Sequence, residues 1–160
     1  IKPSEKNEWQ TFSKNQDSII ELNDLFSLKE YLVTYDNYTR TYRAKDPQTG
    51  TIVDDLNTVE RAILYVKMED TLTLSHEQFP ELKYLTVRGT AVNHLLCISK
   101  LTGLQYLDLA MELGDENMAS YALFFPDEFW NLGKLQVLKI KTNTMSYISE
   151  RISELKHLKI

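Results

Sequence analysis

The sequence predicts an α/β fold of stacked coils. Each coil adds one short strand to a parallel sheet and returns over the other side through a short helix or turn. Three observations predict it. The run L-x-x-L-x-L, with Val or Ile allowed, occurs as Leu82-Lys-Tyr-Leu85-Thr-Val87, Leu104-Gln-Tyr-Leu107-Asp-Leu109 and Leu135-Gln-Val-Leu138-Lys-Ile140, and a further start stands at Leu158. The starting leucines are 22, 31 and 23 residues apart. Each is preceded three positions earlier by Phe79, Leu101, Leu132 or Leu155, and three of these in turn by Ile98, Phe129 and Ile152. The stretches that follow also agree, with apolar residues at Val92 and Leu95 after Val87 and at Met145 and Ile148 after Ile140. A single helix or strand keeps one period. Here the period changes inside each unit and then resets, the signature of a repeat array.

The elements follow in chain order. Ser4 is placed to cap a helix that carries Trp9 and Phe12 on one face. Ile19, Leu22, Leu25, Phe26 and Leu28 fall at helical spacing. The pattern then alternates through Tyr31, Val33 and Tyr35, and through Tyr38, Arg40 and Tyr42, on either side of Asp36-Asn37. "KDPQTG" supplies a second turn. One or two hairpins are expected, with the tyrosines on a half-buried sheet face. Residues 1–58 are thus read as a capping region, helical and then β-hairpin. Residues 59–160 are read as an array of four to five irregular units.

The first of these units is Val59-Glu-Arg-Ala62-Ile-Leu64, 23 residues before Leu82. A still earlier one, "LKEYLV", begins at Leu28, 31 residues before Val59. The one long spacing inside the array is an insertion of about eight residues over the length of neighbouring units. It falls in Met111–Phe124, where Met118, Tyr121, Ala122 and Phe125 predict a short helix with acids in its first turn. The end, "LKHLKI", has two readings. It is a unit begun at Leu158 and cut short, or a closing strand Leu155-x-x-Leu158-x-Ile160.

These motifs resemble the leucine-rich repeat family. The resemblance covers residues 82–160 and reaches back to Val59; "FPDEFWNLGKLQVLKI" is close to the family's L-P-x-x-I-x-x-L-x-x-L-x-x-L-x-L run. It implies a leucine-rich-repeat solenoid with a curved parallel β-sheet on the concave side and short helices or turns on the convex side, preceded by the helix-plus-hairpin cap. Members of the family carry an asparagine three residues after the strand. Only Asn143 matches; Lys67, Thr90 and Glu112 stand at the other positions. An irregular solenoid is therefore expected. The family's extracellular animal members close their ends with disulfide-bonded caps, which the single cysteine here forbids. The resemblance thus implies a cytoplasmic protein, or a bacterial one that is secreted or on the cell surface.

Composition narrows the function classes. Hydrophobic content of 42% and charged content of 26% are ordinary for a globular domain. No apolar run is long enough to span a bilayer. The net charge of −5 disfavours nucleic acid as a partner. The acidity is local. Leu101 to Gly133 contains six acidic residues and no Lys or Arg. His76, His94 and His157 lie in separate units, without metal-ligand spacing to one another or to Cys97. Cys97 reads as a small core residue. No nucleophile motif or phosphate loop is present, so neither an enzyme nor a cofactor or metal protein is expected.

What remains is surface. Alternate strand positions point away from the leucine core, giving three rows across the strands. They are Arg61, Tyr84, Tyr106, Val137; then Ile63, Thr86, Asp108, Lys139; then Tyr65, Arg88, Ala110, Lys141. Freed from packing, such positions are open to selection for binding, and tyrosine and arginine are typical anchors. The expected site on the concave face is therefore Tyr65, Tyr84, Thr86, Arg88, Tyr106, Asp108, Lys139 and Lys141. A second site, on the rim, is Glu112, Asp115 and Glu116 in the acidic 110–124 insertion, facing a basic partner surface. The expected function is a non-catalytic protein–protein interaction module. The alternatives are a targeting or scaffold part of a larger enzyme or receptor, and a structural spacer.

Overall fold

A computed structural model describes residues 19–66, 74–89, 95–111, 125–142 and 148–159. The expected helix with Trp9 and Phe12, the 112–124 part of the acidic insertion with Glu112, Asp115 and Glu116, and the asparagine-ladder positions Lys67, Thr90 and Asn143 lie outside the described residues. Those described include the short helix α1 (Leu22–Ser27) and strands β1 (Glu30–Asp36), β2 (Thr41–Lys45), β3 (Ile52–Val53), β4 (Arg61–Val66), β5 (Tyr84–Gly89), β6 (Tyr106–Met111) and β7 (Val137–Thr142). A single helical turn, α2 (Leu95–Ile98), and 3-10 turns at Leu56–Thr58, Asp127–Asn131 and Glu150–Glu154 lie between or after strands. The molecule is α/β. The seven strands among the described residues form one open, mixed and mostly parallel sheet in the order β3-β2-β1-β4-β5-β6-β7.

The parallel pairings run at the spacings of the sequence motifs. Tyr84 pairs with Tyr106, Tyr106 with Val137, Arg61 with Tyr84, and Glu30 with Arg61. Thus "LKEYLV" and "VERAIL" take their places beside the three clear units. The three-residue apolar spacing before each strand has a direct physical cause. Leu101 N–H donates to the Ile98 carbonyl and Leu104 N–H to that of Leu101. The same two steps recur at Phe129, Leu132 and Leu135 and at Ile152, Leu155 and Leu158. Successive i→i+3 bonds eclipse side chains at i and i+3, so every third residue points inward.

A backbone ladder then joins the segments that lead into neighbouring strands. The Glu60 carbonyl accepts from Lys83 and Tyr84 N–H, that of Lys83 from Gln105 and Tyr106, and that of Gln105 from Gln136 and Val137. Lys159 N–H continues the ladder by donating to the Gln136 carbonyl at 2.7 Å. Lys159 therefore stands in the register of Gln136, and Leu158 in that of Leu135. Of the two readings of "LKHLKI", the one starting a unit at Leu158 is the register observed.

The main core lies on one face of the sheet. Ala62, Leu64, Leu85, Val87, Leu107 and Leu109 point into it from the strands, and Phe79, Leu101, Leu132, Phe129 and Leu155 close it from the return segments. Each such side chain contributes about 1.5–3 kcal/mol by leaving water. Gly89 marks a close backbone approach. At φ +146°, a Cβ there would lie 1.8 Å from the Val66 carbonyl oxygen, so no other residue fits.

Two hairpins carry the sheet beyond β1, as the alternation and the two turns predict. Each turn opens on an aspartate. Asp36 Oδ1 accepts from Tyr38 and Thr39 N–H at 2.8 and 3.3 Å. Asp46 Oδ1 accepts from Gln48 and Thr49 at the same two distances. Each turn ends on a left-handed residue, Arg40 (φ 54°) or Gly50 (φ 73°). Tyr42 is buried and Tyr31 and Tyr35 half-buried on the core side, whereas Tyr38 is fully exposed at its turn.

Candidate functional site

The opposite face of the sheet presents the three expected rows, in register. The structure treats them very differently. The chain before β1 crosses this face and packs on the first row. Leu25 of α1, fully buried, meets Tyr84 and Tyr106 in a second apolar cluster with Ile20, Leu22, Leu28 and Val137 around it. Tyr84 and Tyr106 stack at 3.9 Å between centroids, and Phe26 meets Tyr106 edge-on at 5.6 Å and Tyr84 at 6.2 Å. Such geometry adds about 0.5–1.5 kcal/mol per pair beyond burial.

Polar bonds fix the same segment at both ends. Ile20 N–H donates to Gln105 Oε1 (2.9 Å), and Gln136 Nε2 donates to the Ile20 carbonyl (2.7 Å) and to Gln105 Oε1 (3.0 Å). Both glutamines are buried. At the other end, Arg61 Nη1 donates to the Phe26 carbonyl (2.9 Å), one of the carbonyls that a helix C-terminus leaves without an internal partner. Arg61 Nε pairs with Glu30 (3.1 Å), and its guanidinium lies 4.3 Å from the Tyr84 ring centre. Burial, then the hydrogen bond with Tyr106, pushes the Tyr84 phenol above the usual tyrosine range.

The expectation that Tyr84 and Tyr106 stand free of packing is therefore corrected. They are 6% and 1% exposed because α1 uses them as its docking surface. Thr86 is also buried, beside Asp108 and between the longer side chains of Tyr84 and Arg88 on its own strand. A signal for this was present in the sequence. The first row is the apolar one, and it faces a segment whose leucines recur at helical spacing. The glutamines carried a second signal, since Gln105 and Gln136 repeat at the same position of "LQYL" and "LQVL".

Beyond the first row the face opens. Arg88 grips Asp108 through two parallel bonds of 3.1 and 3.0 Å, both side chains half-buried. That bidentate pairing, opposed by partial burial, raises the Arg88 pKa. Tyr65 is 62% exposed, and Lys139 and Lys141 are exposed on the edge strand β7. Lys139 Nζ sits 5.5 Å from the Tyr106 ring centre, and its hydrogen bond to that phenol raises its pKa. Tyr65, Arg88, Asp108, Lys139 and Lys141 are thus brought together on an accessible surface, while Tyr84, Thr86 and Tyr106 are not.

Other candidate chemistry is sparse. The Cys97 side chain packs against the main core, and burial raises its thiol pKa, which disfavours the nucleophilic thiolate. His76 is exposed. Among the described residues no three His, Cys, Asp or Glu side chains cluster as metal ligands, and no helix is long and apolar enough to cross a membrane. Comparison with known proteins adds no relative: no family model, no curated protein and no solved structure matches the chain.

Proposed function

We propose that the chain is a leucine-rich-repeat solenoid that acts as a non-catalytic protein-binding module, with its partner seated on the open rows of the concave sheet face. The observation that carries this reading is the division of labour on that face. Leucines, valines and alanines hold the sheet from the core side, while Tyr65, Lys139 and Lys141 stand exposed in register on the other. Five strands, β1 and β4–β7, run parallel at the repeat spacing, which supports the repeat assignment. The acidic insertion, with Glu112, Asp115 and Glu116, follows β6 directly in sequence. We place it as the rim contact for a basic patch on the same partner.

The test is capture from a lysate of the source cells, by the wild-type chain and by a Tyr65→Ala, Lys139→Ala, Lys141→Ala variant with unchanged thermal melting. The proposal expects at least one protein retained by the wild type and lost by the variant. Identical captured sets would overturn the assignment of the open rows. A Glu112→Gln, Asp115→Asn, Glu116→Gln variant that retains the same partner would remove the rim contact from the proposal.

A further inference from the structure

The open rows have a charge that the whole chain hides. The protein carries −5 overall, yet the open part of this face is cationic. The antiparallel pairing of Leu32 with Lys45 and Thr34 with Arg43 puts both β2 cations on the same face as Tyr65. Both are exposed, as are Lys139 and Lys141 on β7. The remaining charges of the three rows largely cancel: Arg61 is paired with Glu30 and Arg88 with Asp108. The Asp36 carboxylate accepts from the amides of its own hairpin and offsets part of the Arg43 charge. Among the described residues, Arg43, Lys45, Lys139 and Lys141 hold no ion pair. Between these two pairs of cations lie Leu32 and Ile63, half-buried neighbours in the pairing, and exposed Tyr65.

From β2 to β7 is five strand spacings, about 24 Å at ~4.8 Å each. An extended chain covers that distance in about seven residues at ~3.3 Å per residue. The face already holds one segment of compatible character. Residues 19–28, "IIELNDLFSL", lie on the first row and carry two acids, no Lys or Arg, and apolar anchors.

We infer that the open rows receive an acidic polypeptide segment, laid across the strands, with carboxylates at both ends and an apolar or aromatic residue between. Arg43 and Lys45 take one acidic end, Lys139 and Lys141 the other, and Tyr65 with Leu32 and Ile63 takes the middle. This rests on the reading of these rows as a protein-binding surface and names the chemistry of the partner. Partly shielded charges on a protein surface attract over about 10 Å at 0.1 M salt, so binding of this kind weakens steeply as salt rises.

The experiment is fluorescence anisotropy with the full 160-residue chain and three labelled probes. They are a heptapeptide with two glutamates at each end around an apolar-aromatic centre, its glutamine counterpart, and a single-stranded oligonucleotide. The expected result is binding of the acidic peptide at least tenfold tighter than either other probe. That binding should weaken at least tenfold in the Lys139→Glu, Lys141→Glu variant, and likewise in the Arg43→Glu, Lys45→Glu variant. Thermal melting of each variant separates loss of binding from loss of fold. Equal binding of the glutamine peptide overturns the inference, as does insensitivity to both variants. Tighter binding of the oligonucleotide reassigns the face to nucleic acid and overturns it as well. If the lysate test above finds a partner on these rows while the acidic peptide does not bind, the inference fails alone and the protein-binding reading stands.

Discussion

The first and third rows of the outer face come from the same four strands, four residues apart along each, and end in opposite states. Tyr84 and Tyr106 are buried beneath α1, whereas Tyr65, on the strand beside Tyr84, is 62% exposed. Tyrosine content does not separate them. The neighbours do. The first row offers two stacked rings and Val137, enough apolar area to hold Leu25 and Phe26. The third offers one ring among Arg88, Ala110 and Lys141, and an apolar helix has little to gain there. Burial follows from what a row presents as a set.

That contrast can be broken most severely from the covered side. Tyr106→Ala removes a large ring from between Leu25, Phe26 and Tyr84, and should cost about 3–5 kcal/mol. Leu25→Ala should cost about 2–5 kcal/mol by the same cavity argument. Urea unfolding followed by circular dichroism measures both. A cost below ~1 kcal/mol for either would mean that α1 does not dock on this row in solution.

The next effect is polar. Gln136→Ala removes two bonds, one to the half-buried Ile20 carbonyl and one to the buried Gln105 Oε1, which keeps its bond from the Ile20 N–H. About 1–3 kcal/mol is expected. Hydrogen exchange sharpens the reading: the Ile20 amide should lose protection before the strand amides of β5 and β6 do.

On the open side the stability effects shrink. Arg88→Ala with Asp108→Ala removes a half-exposed, solvent-screened pair and should cost less than about 1 kcal/mol. The same unfolding curves check this, and a cost as large as that of Tyr106→Ala would abolish the distinction between the rows.

The subtlest test is alkaline. The Tyr84 phenol is raised in the fold by burial beneath α1. Above a pH of about 10 the unfolded chain's phenol gives up its proton while the folded one keeps it. The stability linked to this group is therefore complete below that pH and lost as pH rises toward the folded value. Tyr84→Phe should flatten the fall in melting temperature above pH 10, and an unchanged slope would remove the linkage. In acid the hairpins supply the mirror case. Asp46 is lowered to about 2, first by its hydrogen bond from Lys29 and then by that from the Gln48 amide. Its stabilisation is complete above the unfolded value near 4 and fades as pH falls toward 2. Asp46→Asn should therefore flatten the acid limb of the melting curve.

Much of the sheet was legible in the sequence because its rules are local. The spacing from Leu82 to Leu104 to Leu135 marks the register of three strands, since residues at the same motif position sit side by side once each strand turns the same face to one core. The i→i+3 steps at Ile98, Leu101 and Leu104 fixed which residues turn inward. Even "LKEYLV" and "VERAIL", each with one leucine at the motif positions, keep the spacing and pair in register. The site was legible only in part. Tyr65, Arg88, Asp108, Lys139 and Lys141 were placed on an accessible face by alternation alone. Tyr84, Thr86 and Tyr106 were placed there by the same rule and are buried, because alternation says which way a side chain points and nothing about what arrives from elsewhere in the chain.

The sequence by itself determined the strands, their order of repetition and the face each residue occupies, because backbone periodicity acts over a few residues. Only the tertiary structure decided that residues 19–28 close the first row through Gln105, 85 positions after Ile20, and through Gln136, 116 positions after it. It alone decided that the β2 cations join those of β7 on one surface. Both results depend on apolar area and charge meeting across long stretches of chain, and no local pattern encodes that meeting.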